Sequence, residues 1–165
     1  KGTFYYYFSS KEEVLKEIIM DIVYEGAARA ERILQDSSAP LLRRIVMAIM
    51  AQAPEFEGAD KLAEELHKVS NAKLEQLYRK TMLKKMTSVL EDTVKEAQKQ
   101  NIIHTDFPKE CIESILLMGH MMFDCETFMW EAEDYPVKLR AFLCNAERML
   151  GAKEGELQDF IEMLQ

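Results

Sequence analysis

Apolar residues recur at every third or fourth position along most of this chain, and this spacing predicts helices. The segment from Ser10 to Gln35 shows it most clearly, because its apolar positions share one helical face. They are Val14, Leu15, Ile18, Ile19, Ile22, Val23, Gly26, Ala30, Ile33 and Leu34. Ser9 precedes Glu12, and Ser10 precedes Glu13, at the spacing of a capping box. No run alternates with the period of two that a half-buried strand requires.

The same period predicts six further helices. They cover residues 40–53, 59–69, 71–100, 108–132, 136–150 and 157–164. The four prolines of the chain begin or stop these segments: Pro40, Pro54, Pro108 and Pro136. Gly151 ends the helix at 136–150, and Asn101 is placed to adopt the left-handed conformation that often follows a helix. The expected fold is an all-α bundle of about seven helices.

Composition and charge narrow the class of protein. The formal net charge of −8 argues against this segment gripping nucleic acid by itself, because phosphate contacts require Lys and Arg. An odd count of three cysteines indicates reduced thiols, as in a cytoplasmic protein. No run reaches the roughly 18 apolar residues of a membrane span, so no membrane partner is expected.

The first eleven residues carry the most specific pattern, Lys-Gly-Thr-Phe-Tyr-Tyr-Tyr-Phe-Ser-Ser-Lys, followed at once by Glu-Glu. This run closely resembles the end of the helix-turn-helix in the TetR/AcrR family of bacterial transcriptional regulators. The resemblance implies that residues 1–9 are the C-terminal remnant of a DNA-binding domain and that residues 10–165 form a ligand-binding and dimerisation domain. Because a recognition helix needs a supporting first helix, roughly forty further residues are expected upstream of Lys1.

The resemblance assigns DNA contact to the matching positions. These are Lys1, Gly2, Thr3, Tyr5, Tyr6, Tyr7 and Lys11. Threonine can offer its hydroxyl to a base edge or its methyl group to thymine, and tyrosine hydroxyls reach phosphates. Lys11 lies in the first turn of the next helix, where free amides also favour an anion. Phe4 and Phe8 are expected to pack inward. The alternative is that all the aromatic residues of this segment form a small core of the DNA-binding domain.

The segment Ile115–Trp130 is apolar around most of its circumference, so it must be covered on more than one face. A second subunit is the expected cover. The resemblance implies the same, with segments 108–132 and 136–150 of each monomer forming a four-helix interface. The residues expected there are Leu117, Met121, Phe128, Phe142 and Met149. The alternative is a central helix buried within one monomer.

One polar strip interrupts that segment at His120, Asp124 and Thr127, which share a helical face. Three interpretations stay open for His120 and Asp124: a hydrogen-bonded pair, an anchor for a ligand, or half of a metal site. Two such residues fall short of the three or four ligands that a metal usually takes, so no metal or cofactor is predicted. His67 and His104 lie in other segments, and the sequence links neither to the strip.

Eleven methionines are many for this length, and methionine both fills irregular cores and lines adaptable binding surfaces. Core filling explains any single one of them. Taken together, they fit a flexible pocket for a small apolar effector. The residues expected to line it are Tyr78, Met82, Met86, His120 and Phe123.

The chain contains no Gly-rich phosphate loop, nucleophile elbow or zinc-binding helix motif, so no enzyme is predicted. The expected function is that of a ligand-responsive repressor. It would be a homodimer that binds a palindromic operator in double-stranded DNA and is released by its effector. The alternative is a helical dimeric scaffold that no longer reads DNA. A small helical enzyme, suggested only by the His120–Asp124 strip, is a third reading.

Overall fold

The computed structural model describes residues 10–52, 57–124, 128 and 130–157, and the fold within these ranges is all-α. The helices are α1 (Lys11–Gln35), α2 (Leu41–Met50), α3 (Ala59–Leu66), α4 (Ala72–Lys99), α5 (Pro108–Met122) and α6 (Tyr135–Leu150). Short 3-10 turns, Val69–Asn71 and Ala132–Asp134, precede α4 and α6. No strand occurs in the described ranges, so the prediction of an all-α fold is confirmed.

Helix α1 begins where the capping pattern predicts. Ser10 has an extended backbone, and its Oγ accepts a hydrogen bond from the amide of Glu13 at 3.1 Å. This bond satisfies one of the amides that a helix leaves free at its start. At the other end, Nη1 of Arg44 donates to the carbonyl of Leu34 at 2.6 Å, which satisfies a free carbonyl of the last turn. Both ends of α1 are therefore held by side chains.

Two apolar clusters hold the helices together. The main core draws on all the helices except α3, and its fully buried large side chains include Leu42, Ile45, Met86, Leu90, Ile112, Ile115, Leu116, Phe142, Leu143 and Leu150. The smaller, called here the upper cluster, comprises Leu15, Ile19, Leu66 and Leu74, with Leu62 and Tyr78 packed against it. It joins the start of α1 to α3 and to the start of α4. Each fully buried large side chain stabilises the fold by about 1.5–3 kcal/mol.

Helix α5 ends earlier than the sequence predicts. The apolar period suggests a helix to Ala132, but the helix stops at Met122, so that boundary is wrong. Nε1 of Trp130 donates to the carbonyl of Met122 at 2.9 Å and occupies an acceptor that the helix end leaves free. The Phe128 and Trp130 rings stack, with centroids 5.1 Å apart and planes 5° apart. Among the described residues beyond Met122, Phe128 is again helical, and its amide donates to the carbonyl of Asp124 at 3.2 Å.

Other boundaries differ by a few residues. Helix α2 ends at Met50, before the predicted stop at Pro54, and α3 ends at Leu66 where the pattern suggested Val69. The helix predicted at 157–164 lies outside the described residues apart from Leu157. None of the helices in the described ranges is long and apolar enough to cross a lipid bilayer.

A left-handed glycine and a buried carboxylate close the far end of the bundle. Gly151 ends α6 with a φ of 60°, as predicted. Glu147 is only 2% exposed, and its carboxylate accepts hydrogen bonds from the amides of Gly155 at 3.1 Å and Leu157 at 2.5 Å. These bonds fold the segment after α6 back onto that helix.

Candidate functional site

A narrow cleft opens between α1, α4 and the end of α2. Its lining is Ile22, Val23, Gly26 and Ala27 from α1, Tyr78, Met82 and Met86 from α4, and Gln52 after α2. Its free volume is ≈ 10 Å³, room for about one water molecule. Apart from the Tyr78 hydroxyl and the Gln52 amide, the lining side chains are apolar. An apolar lining with few polar groups is shared with small-molecule sites, but the free volume of this cleft is far smaller than theirs.

The two walls of the cleft differ in rigidity. On the α1 side, a Cβ on Gly26 would lie 3.4 Å from the backbone oxygen of Gln52, so only glycine or a small residue keeps these segments this close. Nε of Arg29 donates to the carbonyl of Ala51 at 3.1 Å and fastens α1 to the end of α2. On the α4 side, the wall is built from two methionines, whose unbranched side chains can repack. The α4 wall is therefore the one whose side chains can repack.

The structure brings together only part of the predicted pocket. Tyr78, Met82 and Met86 line the cleft. His120 does not; its ring packs on that of Tyr78, with centroids 5.7 Å apart and planes tilted by 57°. Phe123 packs edge-on against Phe142 at 5.5 Å, as part of the main core.

Near Tyr78 lies a polar cluster that consists of His67, Glu75, Arg79 and Asp124. Nδ1 of His67 is 3.4 Å from a carboxylate oxygen of Glu75, and its Nε2 is 3.4 Å from one of Asp124. Arg79 pairs with Glu75 and lies 3.8 Å from the second carboxylate oxygen of Asp124. The Asp124 side chain is only 5% exposed, and a carboxylate is buried at tolerable cost only when it is paired in this way.

Sequence reasoning missed His67. The helical spacing of His120 and Asp124 identified Asp124 as part of a polar strip, and the sequence offered no link from His67 to that strip, whereas the structure places His67 against Asp124. His67 directly follows α3, and only the folding of α3 against the other helices brings it to Asp124. Because this contact depends on tertiary packing, no local pattern in the chain could have indicated it.

The rings next to the cleft are uncharged near neutral pH. Burial lowers the pKa of His120 below its ordinary 6.5; the charge of Arg79 lowers it further, and Asp124 and Glu75 oppose the shift. Burial also raises the pKa of the Tyr78 hydroxyl above its ordinary 10.0. Among the described residues, no three His, Cys, Asp or Glu side chains are placed to hold a metal ion together.

Part of the predicted subunit interface lies on the surface. Leu117, Met121 and Phe128 are 43%, 38% and 41% exposed, and the first two lie one turn apart on the same face of α5. Phe142 is 2% exposed and belongs to the main core, and Met149 is partly buried against that core. The apolar spacing of α6 indicates a buried face, but it does not indicate that Phe142 faces the core of its own chain and not a second subunit.

The exposed aromatic residue Phe128 is held in place by its neighbours. It stacks on Trp130, and the ammonium of Lys138 lies 3.4 Å from the centroid of the Trp130 ring, as in a cation–π contact. Val137, at the start of α6, is 70% exposed. Leu117, Met121, Phe128 and Val137 are thus four exposed apolar side chains on α5, on the described part of the α5–α6 connection and at the start of α6.

Most of the residues predicted to contact DNA lie outside the described part of the chain, namely Lys1, Gly2, Thr3, Tyr5, Tyr6 and Tyr7. Lys11 is described. Its side chain is 73% exposed, and its Nζ pairs with Glu65 at 2.5 Å. Glu65 also pairs with Lys68. The hydrogen bond from Lys11, and next the one from Lys68, lower the pKa of the Glu65 carboxyl to about 2. The first turn of α1 is thus tied to the end of α3.

Comparison with known proteins adds one match. A family model described as "Tetracyclin repressor-like, C-terminal domain" matches residues 57–144, slightly more than half of the chain. The matched range contains α3, α4, α5 and the first part of α6, and with them the polar cluster, the α4 wall of the cleft and the exposed residues of α5. No curated protein matches the chain.

Proposed function

Because the chain belongs to the family of tetracycline-repressor-like C-terminal domains, we propose that it is the body of a ligand-responsive transcriptional regulator, most simply a repressor. The observation that carries the proposal is the family match over residues 57–144. The helix-turn-helix pattern of residues 1–13 supports it independently, because the two segments do not overlap. Residues 1–9 then end the DNA-binding domain, and residues 10–165 bind the effector and the second subunit.

Helix α1 is suited to connect the two activities. It has 25 residues and spans roughly 38 Å, and it starts directly after the recognition-helix pattern. Its middle residues Ile22 and Val23 form a wall of the cleft. At its start, Leu15 and Ile19 belong to the upper cluster, against which Tyr78 also packs. An effector that prefers a wider cleft would shift α1, and with it the DNA-binding head, by as much as it prefers that state.

The proposed regulator acts as a homodimer. A palindromic operator is read by two recognition helices spaced by about 34 Å, which requires two subunits. The exposed apolar residues Leu117, Met121 and Phe128 support an interface through α5 and the α5–α6 connection. Phe142 belongs to the core of one subunit, so it would support the interface from within its own subunit and would not contact the partner.

The test is an operator search with the complete chain, including a whole helix-turn-helix head. The protein is incubated with sheared genomic DNA, and the retained fragments are sequenced. Enrichment of one palindromic site is expected, and the double substitution Thr3→Ala/Tyr6→Ala should abolish it. Tyr24→Ala is the matched control, because Tyr24 is a 54% exposed tyrosine on the body and should leave enrichment unchanged.

A folded, ligand-free dimer that enriches no site would refute the regulator and favour the dimeric scaffold. Enrichment that survives replacement of Thr3 and Tyr6 would show that the recognition residues are wrongly assigned, although the chain regulates transcription. Both results require the dimer to be verified beforehand by sedimentation.

A further inference from the structure

We propose that Glu65 competes with operator DNA for two lysines: its carboxylate holds Lys11 and Lys68 in the DNA-free chain, and a backbone phosphate takes its place in the complex. Lys68 is then a phosphate contact that the ligand-binding and dimerisation domain contributes. This inference rests on the proposed function, since it concerns how the same regulator holds its operator. Glu65 would thereby set the affinity for DNA without contacting DNA itself.

Lys11 is close to the proposed DNA-binding domain and accessible from outside. Only one residue separates it from residues 1–9, and two residues of chain span at most about 7 Å. Its side chain is 73% exposed, and its ammonium lies on Oε1 of Glu65 at 2.5 Å. A DNA phosphate that binds Lys11 therefore has to displace this carboxylate.

Lys68 converges on the same carboxylate from another part of the chain. It lies just after α3, its side chain is 58% exposed, and its ammonium pairs with Oε2 of Glu65. Because Lys11 and Lys68 each take one oxygen of a single carboxylate, their ammonium groups are neighbours. Two ammonium groups around one anion suit a phosphate, whose charge is spread over several acceptor oxygens.

The Glu65 carboxylate is charged but weakly held, so a phosphate can replace it. The hydrogen bonds from Lys11, and next from Lys68, lower the pKa of Glu65 to about 2, so it stays ionised near neutral pH. Ion pairs between exposed side chains contribute little to stability and are screened by salt. DNA gains further from the same lysines, because its neutralised phosphates release condensed counter-ions. The first turn of α1 also carries Glu12 and Glu13, so Lys11 alone cannot offset the charge of this turn.

The test uses the complete chain with a whole helix-turn-helix head. Its affinity is measured over a range of salt concentrations, for a duplex that carries the enriched palindrome and for a scrambled duplex of equal length. Glu65→Gln should tighten binding to both by about 1.5- to 5-fold, the range of one exposed ion pair, and most at low salt. Glu64→Gln is the matched control, because it removes the same charge from an exposed neighbouring residue and should leave the affinity unchanged.

The contribution of Lys68 is tested by the salt dependence. Lys68→Gln should weaken both complexes and make the slope of log K against log salt shallower by about 0.9, as for one lost phosphate contact. Lys99→Gln is the control, because Lys99 is exposed and ends the 28-residue α4, roughly 40 Å from the start of that helix. With Lys11 and Lys68 both replaced by glutamine, Glu65→Gln should no longer tighten binding.

Equal effects of Glu65→Gln and Glu64→Gln would overturn the inference, because Glu65 would then act only through the net charge. An unchanged salt slope in Lys68→Gln would also overturn it. Lys68→Arg keeps the charge and should keep the slope, which a misfolded variant would not. Operator enrichment with an affinity that ignores Glu65 and Lys68 would leave the regulator standing and reject the competition. A folded dimer that binds no DNA would refute the proposed function and this inference together.

Discussion

The imidazole of His67 lies between two carboxylates on different parts of the fold, with its Nε2 3.4 Å from a carboxylate oxygen of Asp124. A neutral imidazole has one N–H, so it can donate to only one of the two carboxylates at a time. Arg79 pairs with Glu75 and lies 3.8 Å from Asp124, so one guanidinium stands beside both carboxylates. The contact joins the end of α3 to the end of α5 and buries a carboxylate that the sequence assigned only to a polar strip.

Removing the charge of Asp124 should destabilise the fold. Asp124→Asn keeps the shape of the side chain but weakens its contacts with Arg79 and His67, at a cost of about 1–3 kcal/mol for a buried charge-assisted pair. Urea unfolding measures the change as a lower midpoint with an unchanged slope. Asp92→Asn is the control: the Asp92 side chain is fully exposed, at 100%, and should shift the midpoint little. Equal midpoints for the two variants would show that the polar cluster does not stabilise the fold.

Stability should fall as pH drops below about 6.5, in part because of His120. Its pKa is lower in the folded chain than its ordinary 6.5, mainly through burial. Below 6.5 the unfolded chain therefore binds a proton that the folded chain does not bind until the pH falls further, which favours unfolding. The free energy of unfolding should be measured from pH 7.5 to 5.5. His120→Gln should flatten the profile; a slope identical to that of the parent would assign the pH dependence to other groups.

Gly151 and Gly58 make a matched pair for separating backbone strain from steric clash. Both have positive φ, 60° and 93°, but a Cβ on Gly151 would lie 2.0 Å from the carbonyl oxygen of His104, whereas one on Gly58 meets nothing within 4 Å. Gly58→Ala should cost only the strain, about 1 kcal/mol. Gly151→Ala should cost about 3 kcal/mol or more, because the chain must also shift. Thermal unfolding measures both, and similar losses would mean that the segment at His104 yields easily.

Charges placed on the exposed face of α5 should break the proposed dimer without unfolding the chain. Leu117→Glu/Met121→Glu introduces two carboxylates at positions 43% and 38% exposed. The dimer dissociation constant, measured by sedimentation, should rise at least about tenfold, as expected when an interface centre is disrupted. Val69→Glu is the control, because Val69 is 94% exposed and belongs to the turn before α4, outside the proposed interface residues. Equal dissociation constants for the two variants would remove this face from the interface.

Substitution of Phe142 tests whether this residue of α6 belongs to the core or to the subunit interface. It is 2% exposed, and its ring meets Phe123 edge-on at 5.5 Å. Phe142→Ala should therefore lower the free energy of unfolding by about 3–5 kcal/mol, as for other buried aromatic residues. A variant that keeps its unfolding midpoint but loses dimerisation would reverse this assignment.

The sequence alone determined those features that depend on residues close together in the chain. The helical period predicted α1 to α6, the Ser10–Glu13 spacing predicted the start of α1, and Gly151 marked the end of α6. Each follows from local hydrogen bonds, side-chain spacing or backbone freedom. For the same reason Tyr78, Met82 and Met86, one turn apart along α4, could be assigned together to one face.

Only the tertiary structure decided which faces meet. It brought His67 to Asp124, turned Phe142 into the core while leaving Leu117 exposed, and placed the Trp130 indole on the carbonyl of Met122, where α5 ends. An apolar period shows that a face is buried but not against what, because packing depends on residues that are distant in the chain. The helices could therefore be predicted from spacing, whereas their packing, the polar cluster and the cleft exist only once residues distant in the chain come together.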